Sequence, residues 1–480
     1  MKQLTQKILN NNIVRHIRST ALLNMAIKCG IVVLFFIISL WWLPAAYISG
    51  VLLALFILAE FNIKSIYYVL FFYPFRDSMV GFFLIALGIV SAIGIILFLV
   101  NSTKAEKKQY LLFFVVSTLY FIYLVVFTIP HFGHRISNFF LGTCFLFACL
   151  MNKDKLNLKS IVYWLIAGLL TSSIIGIMMI FIPGVISNAD VSEFFGRNFS
   201  THYLFGHRRF AGLTENTNFF DWLVFCGFAG LLVLNLQRKQ KLWEFILLFT
   251  LLFTVGYSTI SRTFVFAFAV IITVYAILKI IKERKKSLVT LGCIFVSTLI
   301  VVAAMFPYTV AIFSRLEGGL HEFDNWQEDV VDPGRLGIWI RYLNAWVSSP
   351  YTFFFGRGLS APALGGMQPH NFYVLILANT GFFGLLFFIA FVGSLFYTLF
   401  KIQKLKPNLP AFFSLFVFLV IGMTQSLFPR ILFFIFVIFF IMATKGTPTQ
   451  EISPSPQAPT ESPQVSRSCP QPDDKELSQE

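Results

Sequence analysis

Apolar residues run along this chain in blocks of about 20, the length a helix needs to cross the hydrocarbon core of a bilayer. The blocks lie near 78–100, 109–130, 136–151, 160–183, 218–236, 242–258, 262–281, 287–307, 372–400, 409–427 and 430–444, with polar segments between them. In lipid, backbone polar groups must be satisfied within the chain, so the pattern predicts an all-α polytopic integral membrane protein. The start is ambiguous. Residues 21–60 fit one tilted span or a tight hairpin of two short ones, and the apolar stretch at 65–75 fits an interfacial segment or a further short span. One crossing before residue 77 gives about 12 transmembrane helices, and three give the alternative of 14.

The polar segments differ by side. One alternate set is basic and lysine-rich: Lys104, Lys107 and Lys108, then Lys153, Lys155 and Lys159, then Arg238, Lys239 and Lys241, then Lys279, Lys282, Arg284, Lys285 and Lys286, then Lys401, Lys404 and Lys406. The positive-inside rule marks these as cytoplasmic. The other set has arginine and no lysine: Arg135, Arg197, Arg208, Arg209, Arg262, Arg315, Arg335, Arg341, Arg357 and Arg430. Topology does not demand positive charge there. Guanidinium grips phosphate or carboxylate at two points where an ammonium is a point charge, so an external site that handles an anion, a phosphate above all, is expected.

This divides the chain into a cytoplasmic N-terminus (1–20), a transmembrane domain (21–445) with external loops over 184–217 and 308–371, and a disordered cytoplasmic tail (446–480) rich in Pro, Ser, Gln and Glu. In the second loop, GRLGIWIRYLNAWVSS (334–349) sets Leu336, Ile340, Leu343 and Trp346/Val347 at helical spacing, as an amphipathic helix at the membrane–water boundary would. Composition agrees: 57% of residues are hydrophobic, 60 are Phe and 12% are charged, which excludes a soluble domain. The net charge of +15 comes mostly from the cytoplasmic loops and reflects insertion, not nucleic-acid binding. No cleavable signal peptide is visible. Five cysteines (Cys29, Cys144, Cys149, Cys226, Cys293) lie in apolar runs and Cys469 in the tail, so no disulfide framework is expected.

Three stretches carry candidate chemistry. GHRRFAGLTENTNFFDW (206–222) packs His207, Arg208, Arg209, Glu215, Asn216 and Asn218 against the start of a span; polar groups there are costly unless used or paired, although arginines also snorkel to headgroups. In YSTISRTFVF (257–266), Arg262 stands at the outer end of a span behind Ser258, Thr259 and Ser261, and the bland alternative is a hydroxyl cap with a headgroup contact. In the third, Arg335 opens the amphipathic helix, Arg357 lies in FFGRGLS, and His370 follows Pro369 just before a span. A neutral imidazole in that place takes a proton from a hydroxyl, with Asn371 to orient it or a sugar, whereas a lone histidine at a helix start is otherwise a cap. Gly381 and Gly384 allow close helix contact. His131, His134 and Arg135 read as an interfacial turn, and the acids between Glu317 and Asp332 as a solvated face without metal-ligand spacing; no metal and no cofactor are expected.

PHNFYVLILANTGFFGLL behind GRLGIWIRYLNAW and FFGRGLS resembles the O-antigen ligase and polymerase superfamily of bacterial envelope glycosyltransferases. RFAGL (209–213) matches its Arg, three residues, Leu pattern; His370 to Gly381 matches its His, ten residues, Gly pattern; Ser261-Arg262 matches a Ser-Arg at an outer helix end. The likeness is close over about 205–390 and departs where members carry Pro-Asn after the first arginine motif, since this chain has TENTN. The resemblance implies a metal-independent inverting enzyme that moves a glycan from an undecaprenyl diphosphate-linked donor to an acceptor hydroxyl on the outer face of the bacterial cytoplasmic membrane. His370, Arg209 and Arg262 become the catalytic candidates, His370 as base and the arginines on the diphosphate with Arg335 as a third. Arg208, Arg335, Asn371, Asn218 and Arg357 become substrate-binding candidates. The acceptor is lipid A-core for a ligase or a second lipid-linked glycan for a polymerase. The Arg-x3-Leu and His-x10-Gly spacings lean towards ligase. A flippase or transporter of lipid-linked glycan is the alternative of another class, and no internal repeat favours it.

Overall fold

The computed structural model describes residues 2–127, 134–181, 203–204, 207–208, 210–214, 217–314, 334–359, 361, 363–365, 368–405, 408–423 and 431–444. Arg197, Arg209, Arg315, Arg430, the acids of 317–332 and the tail from 446 lie outside these residues, as do the side chains of Arg135, Arg208 and Arg335.

Helices dominate. In the first half they are α1 (Lys2–Ile38), α2 (Pro44–Glu60), α3 (Ile66–Phe72), α4 (Val80–Asn101), α5 (Lys104–Lys108), α6 (Leu111–Val126), α7 (His134–Met151) and α8 (Leu158–Phe181). A two-residue antiparallel ladder follows, β1 (Tyr203–Leu204) with β2 (His207–Arg208). Then come α9 (Thr217–Leu236), α10 (Leu242–Tyr257), α11 (Arg262–Glu283), α12 (Lys285–Ala304), a helical stretch α13 over 306–314, α14 (Gly334–Val347), α15 (Pro350–Phe355), α16 (Phe372–Phe396), α17 (Leu409–Gly422) and α18 (Ile431–Thr444). Among the described residues, seven helices are long and apolar enough to cross a membrane and six shorter ones are apolar, so the chain is an all-helical polytopic membrane protein.

The layering follows from which helices are apolar all round. The 18-residue apolar window of α9 is 100% buried, and every residue of α18 is buried. Helices of that kind pack at the centre of a bundle. Around α9 stand α8, α10, α11, α17 and α18, and α18 also packs on α7. By contrast, α1, α2, α6 and α12 turn Leu34, Leu55, Ile122 and Ile300 outward. Apolar surface on that scale fits lipid contact.

Residues 21–60 are not one tilted span. They fold as the paired helices α1 and α2, turned by Pro44 at the start of α2 and by the exposed pair Trp41 and Trp42, which suit an interface. The following stretch, 63–78, is also not interfacial, because α3 is buried throughout. At its start Tyr67 Oη accepts the Asn157 backbone N–H at 3.3 Å, and at its end Ser78 Oγ donates to the Leu213 carbonyl at 3.2 Å. The segment therefore runs from the lysine-bearing end of the bundle to the arginine-bearing end. Gly168 of α8 makes this approach feasible: a Cβ there would sit 1.9 Å from the Phe71 carbonyl oxygen.

Polar links at the two ends sort as the loop charges predict. At the lysine end Asn152 Nδ2 donates to Gly94 O, Gln237 and Asn408 donate to Ala443 O, and Lys159 pairs with Glu244. At the arginine end Tyr257 Oη meets Thr309 Oγ1 at 2.9 Å and Tyr123 Oη donates to Thr380 O at 2.6 Å.

Candidate active site

Two clusters form at the arginine end. In the first, α10 ends at Tyr257 and α11 starts at Arg262. Ser261 caps α11, its Oγ accepting the Phe264 N–H at 3.4 Å. Ile260, buried between them, holds φ at +50°, a conformation that is an outlier for a β-branched residue. Such strain persists only where its surroundings over-determine it and is typical of functional sites. The turn sets Arg262, half-buried, in the first helical position. Phe210 reaches the same turn, its backbone N–H donating to the Ser258 carbonyl at 3.1 Å. The residue next to Arg209 is thus pinned four positions from Arg262. Phe210 also packs edge-on against Phe220 of α9 at 5.3 Å, and half-buried Asn218 stands two positions earlier on that helix. Arg208 is in β2 opposite Tyr203.

The second cluster is built by a break in a helix. Gly381 holds φ at +67° inside α16, which frees the carbonyls of the preceding turn. Three donors take them: Arg357 N–H on Ala378 O at 3.0 Å, Gly358 N–H on Asn379 O at 2.9 Å, and Tyr123 Oη on Thr380 O. A Cβ at Gly381 would lie 2.4 Å from the Gly356 nitrogen, and one at Gly356 2.5 Å from the Asn379 carbonyl group. The glycine that ends the His-x10-Gly pattern is therefore required on both conformational and steric grounds. Expected as one uninterrupted span over 372–400, α16 is folded back instead: the ring centres of Phe372 and Phe388 are 5.6 Å apart, whereas 16 positions of straight helix span about 24 Å.

The fold-back carries His370 and Asn371 over the outer end of α17, where Tyr373 Oη donates to Leu419 O at 3.3 Å. His370, half-buried, takes φ +44°, which histidine tolerates better than most residues. Asn371 is 5% exposed and its Oδ1 accepts the N–H groups of Tyr373 at 2.9 Å and Val374 at 3.1 Å. That capping task occupies the oxygen expected to orient substrate. Arg357, half-buried, stacks its guanidinium 5.7 Å from the Tyr342 ring centre of α14. The backbone of Arg335 lies in the first turn of α14. On that helix Leu336, Leu343 and Val347 are exposed, so the stripe expected to face the membrane points away from the protein.

Phe372, Tyr373 and Phe388 of α16, Phe418 of α17, and Phe433 and Phe440 of α18 wall an apolar cavity of about 230 Å³. Between the two clusters lies α17, which packs on α9 and α11 and meets Phe372 at Gly422. Sequence reasoning missed Trp339 and Tyr342, whose polar tips bind the loop before His370. Their i, i+3 spacing was visible, but neither lies on the stripe of Leu336, Ile340, Leu343 and Trp346/Val347 that the spacing singled out.

Residues 245–389 match the family described as O-antigen ligase, a likeness that supports the resemblance to the O-antigen ligase and polymerase superfamily of bacterial membrane proteins. The matched stretch contains Ser261-Arg262, α14, Arg357, His370 and Gly381. No curated protein matches the chain.

Proposed function

We propose that the protein transfers a glycan from undecaprenyl diphosphate to an acceptor hydroxyl on the outer face of the cytoplasmic membrane, as an O-antigen ligase acting on lipid A-core. The observation that carries this reading is the folded-back α16. It brings Phe372, two residues after His370, back against Phe388 and into the wall of an apolar cavity, beside Gly422 at the end of α17. In this reading the chain crosses the membrane 14 times, with 63–78 as the third crossing, which keeps the lysine loops inside.

His370 takes the proton of the acceptor hydroxyl as its oxygen attacks the anomeric carbon. The bond from that carbon to the diphosphate oxygen breaks, and the lipid diphosphate leaves with the bonding pair. Inversion follows from attack opposite the leaving group. Arg262 and Arg209 meet the charge that grows on the diphosphate, Arg335 and Arg208 extend the cationic surface, and Arg357 and Asn218 bind glycan. Because guanidinium supplies the positive charge, the step is assigned no metal. The phenylalanine-walled cavity takes lipid chain.

The test is transfer by the purified protein in nanodiscs, with lipid-linked glycan donor and lipid A-core in one arm and donor alone in the other. Product on lipid A-core that is lost in His370→Ala supports the ligase. Chains that lengthen from donor alone convert the assignment to a polymerase. Donor binding without product in either arm overturns the enzyme reading in favour of a flippase.

A further inference from the structure

Three aromatic residues line one face of α14 at i, i+3 and i+7 spacing: Trp339, Tyr342 and Trp346. Each uses its polar tip on the backbone of the segment that leads to His370. Trp346 Nε1 donates to Phe353 O at 2.9 Å, the Leu364 N–H donates to Tyr342 Oη at 3.2 Å, and Trp339 Nε1 donates to Pro369 O at 2.7 Å. Tyr342 and Ile338 are buried against α16, so the helix that offers these tips is anchored.

The Trp339 bond differs from the other two in where it lands. Pro369 O and His370 N belong to one rigid peptide plane, so holding the oxygen sets the direction in which His370 leaves that plane. On the other side the Asn371 cap fixes the next residue. His370 is thus clamped from both sides in a left-handed conformation, φ +44°, which a non-glycine residue gives up readily when its surroundings relax. A return to the right-handed region would turn the imidazole to a different direction. An indole N–H in a half-buried place commonly finds some acceptor; here the acceptor is the carbonyl bonded to the nitrogen of the candidate base.

We infer that Trp339 is a positioning residue for His370: its indole N–H holds the Pro369–His370 peptide so that the imidazole faces the acceptor hydroxyl. This inference rests on the reading of His370 as the base. It assigns Trp339 no contact with substrate.

The experiment is a double-variant cycle on the full chain in nanodiscs, reading kcat and KM for donor and acceptor with Trp339→Phe, His370→Asn and the pair. Misplacing a catalytic group by about 1 Å costs up to about 10²-fold in rate. The expected result is therefore a fall in kcat of about tenfold or more in Trp339→Phe, with KM for both substrates unchanged. The fall should vanish in the His370→Asn background, since residues that act as a unit are not additive. Wild-type kcat in Trp339→Phe overturns the inference, as does a penalty that persists undiminished in the His370→Asn background. Full activity of His370→Asn alone overturns the base reading itself, a distinct outcome. If Trp339→Phe does not fold, benzothienylalanine at 339 keeps the indole shape without the N–H, and the same outcomes apply.

Discussion

Phe210 donates its backbone N–H to the carbonyl of Ser258 across 3.1 Å, and this one bond ties the Arg-x3-Leu motif to the Ser-Arg turn. Arg262 follows that carbonyl by four positions, at the first helical position of α11, behind the Ser261 cap and the strained Ile260. If Arg262 meets developing diphosphate charge, Arg262→Ala lowers kcat by about 10²–10³. Arg262→Lys recovers little of it, because an ammonium lacks the planar fork. Steady-state transfer rates of the two variants decide the matter, and a lysine variant near wild type would show that charge alone suffices.

Gly381 carries the fold-back, so its replacement should damage stability and activity together. In Gly381→Ala the residue must hold φ +67° with ψ −172°, a region almost reserved to glycine that costs about 1–3 kcal/mol, and its Cβ meets Gly356 backbone at 2.4 Å. The thermal midpoint in detergent should fall by several degrees and transfer should be lost. An unchanged midpoint would mean that α16 has another low-energy path through this point.

The role of Asn371 separates by substitution. Its Oδ1 caps α16, and loss of an N-cap costs about 0.5–2 kcal/mol. Asn371→Ala should lower both the midpoint and kcat, while Asn371→Ser, an equally good cap, should restore most of both. Restored stability without restored kcat would show that the amide touches substrate.

The lysine end makes a contrasting prediction. Lys279, 3% exposed, donates to Asn235 Oδ1 at 2.7 Å and Glu283 at 2.8 Å, and Tyr275 Oη also donates to Asn235. Removing one member of a buried ion pair costs about 3–5 kcal/mol. Lys279→Ala should therefore lower the midpoint sharply. At a temperature where it stays folded, KM should be unchanged, because this network sits at the opposite end from His370. Altered substrate KM would mean that the two ends are coupled.

Much of the bundle was legible in the chain because lipid imposes it: apolar blocks of spanning length and basic, lysine-rich loops on one side are both demands of the bilayer. The helices from α4 onward fall where those blocks lie. The start was less legible since length alone does not separate one tilted span from two short ones; the Pro44 turn and the close approach of Phe71 to Gly168 decide it, and the latter is a tertiary fact. The site motifs were visible as spacing, but not their reason. Nothing local to PHNFYVLILANTGFF announces that the glycine folds the helix until the carbonyls of Ala378 and Asn379 are seen bonded to Arg357 and Gly358. Trp339 escaped notice because its partner is a backbone carbonyl 30 positions away.

A histidine base leaves a signature in pH. The neutral imidazole accepts the acceptor proton, and the protonated form does not. As pH falls through the imidazole's titration, the reactive fraction shrinks and kcat falls with it; as pH rises above it, kcat levels off. Guanidiniums stay charged across this range, so the arginines add no limb of their own. Wild-type protein should therefore show a single acid limb in kcat, and His370→Asn should show a low rate with that limb absent. Persistence of the limb in His370→Asn would assign the base to another group and return His370 to the capping and packing role that a histidine at a helix start ordinarily fills.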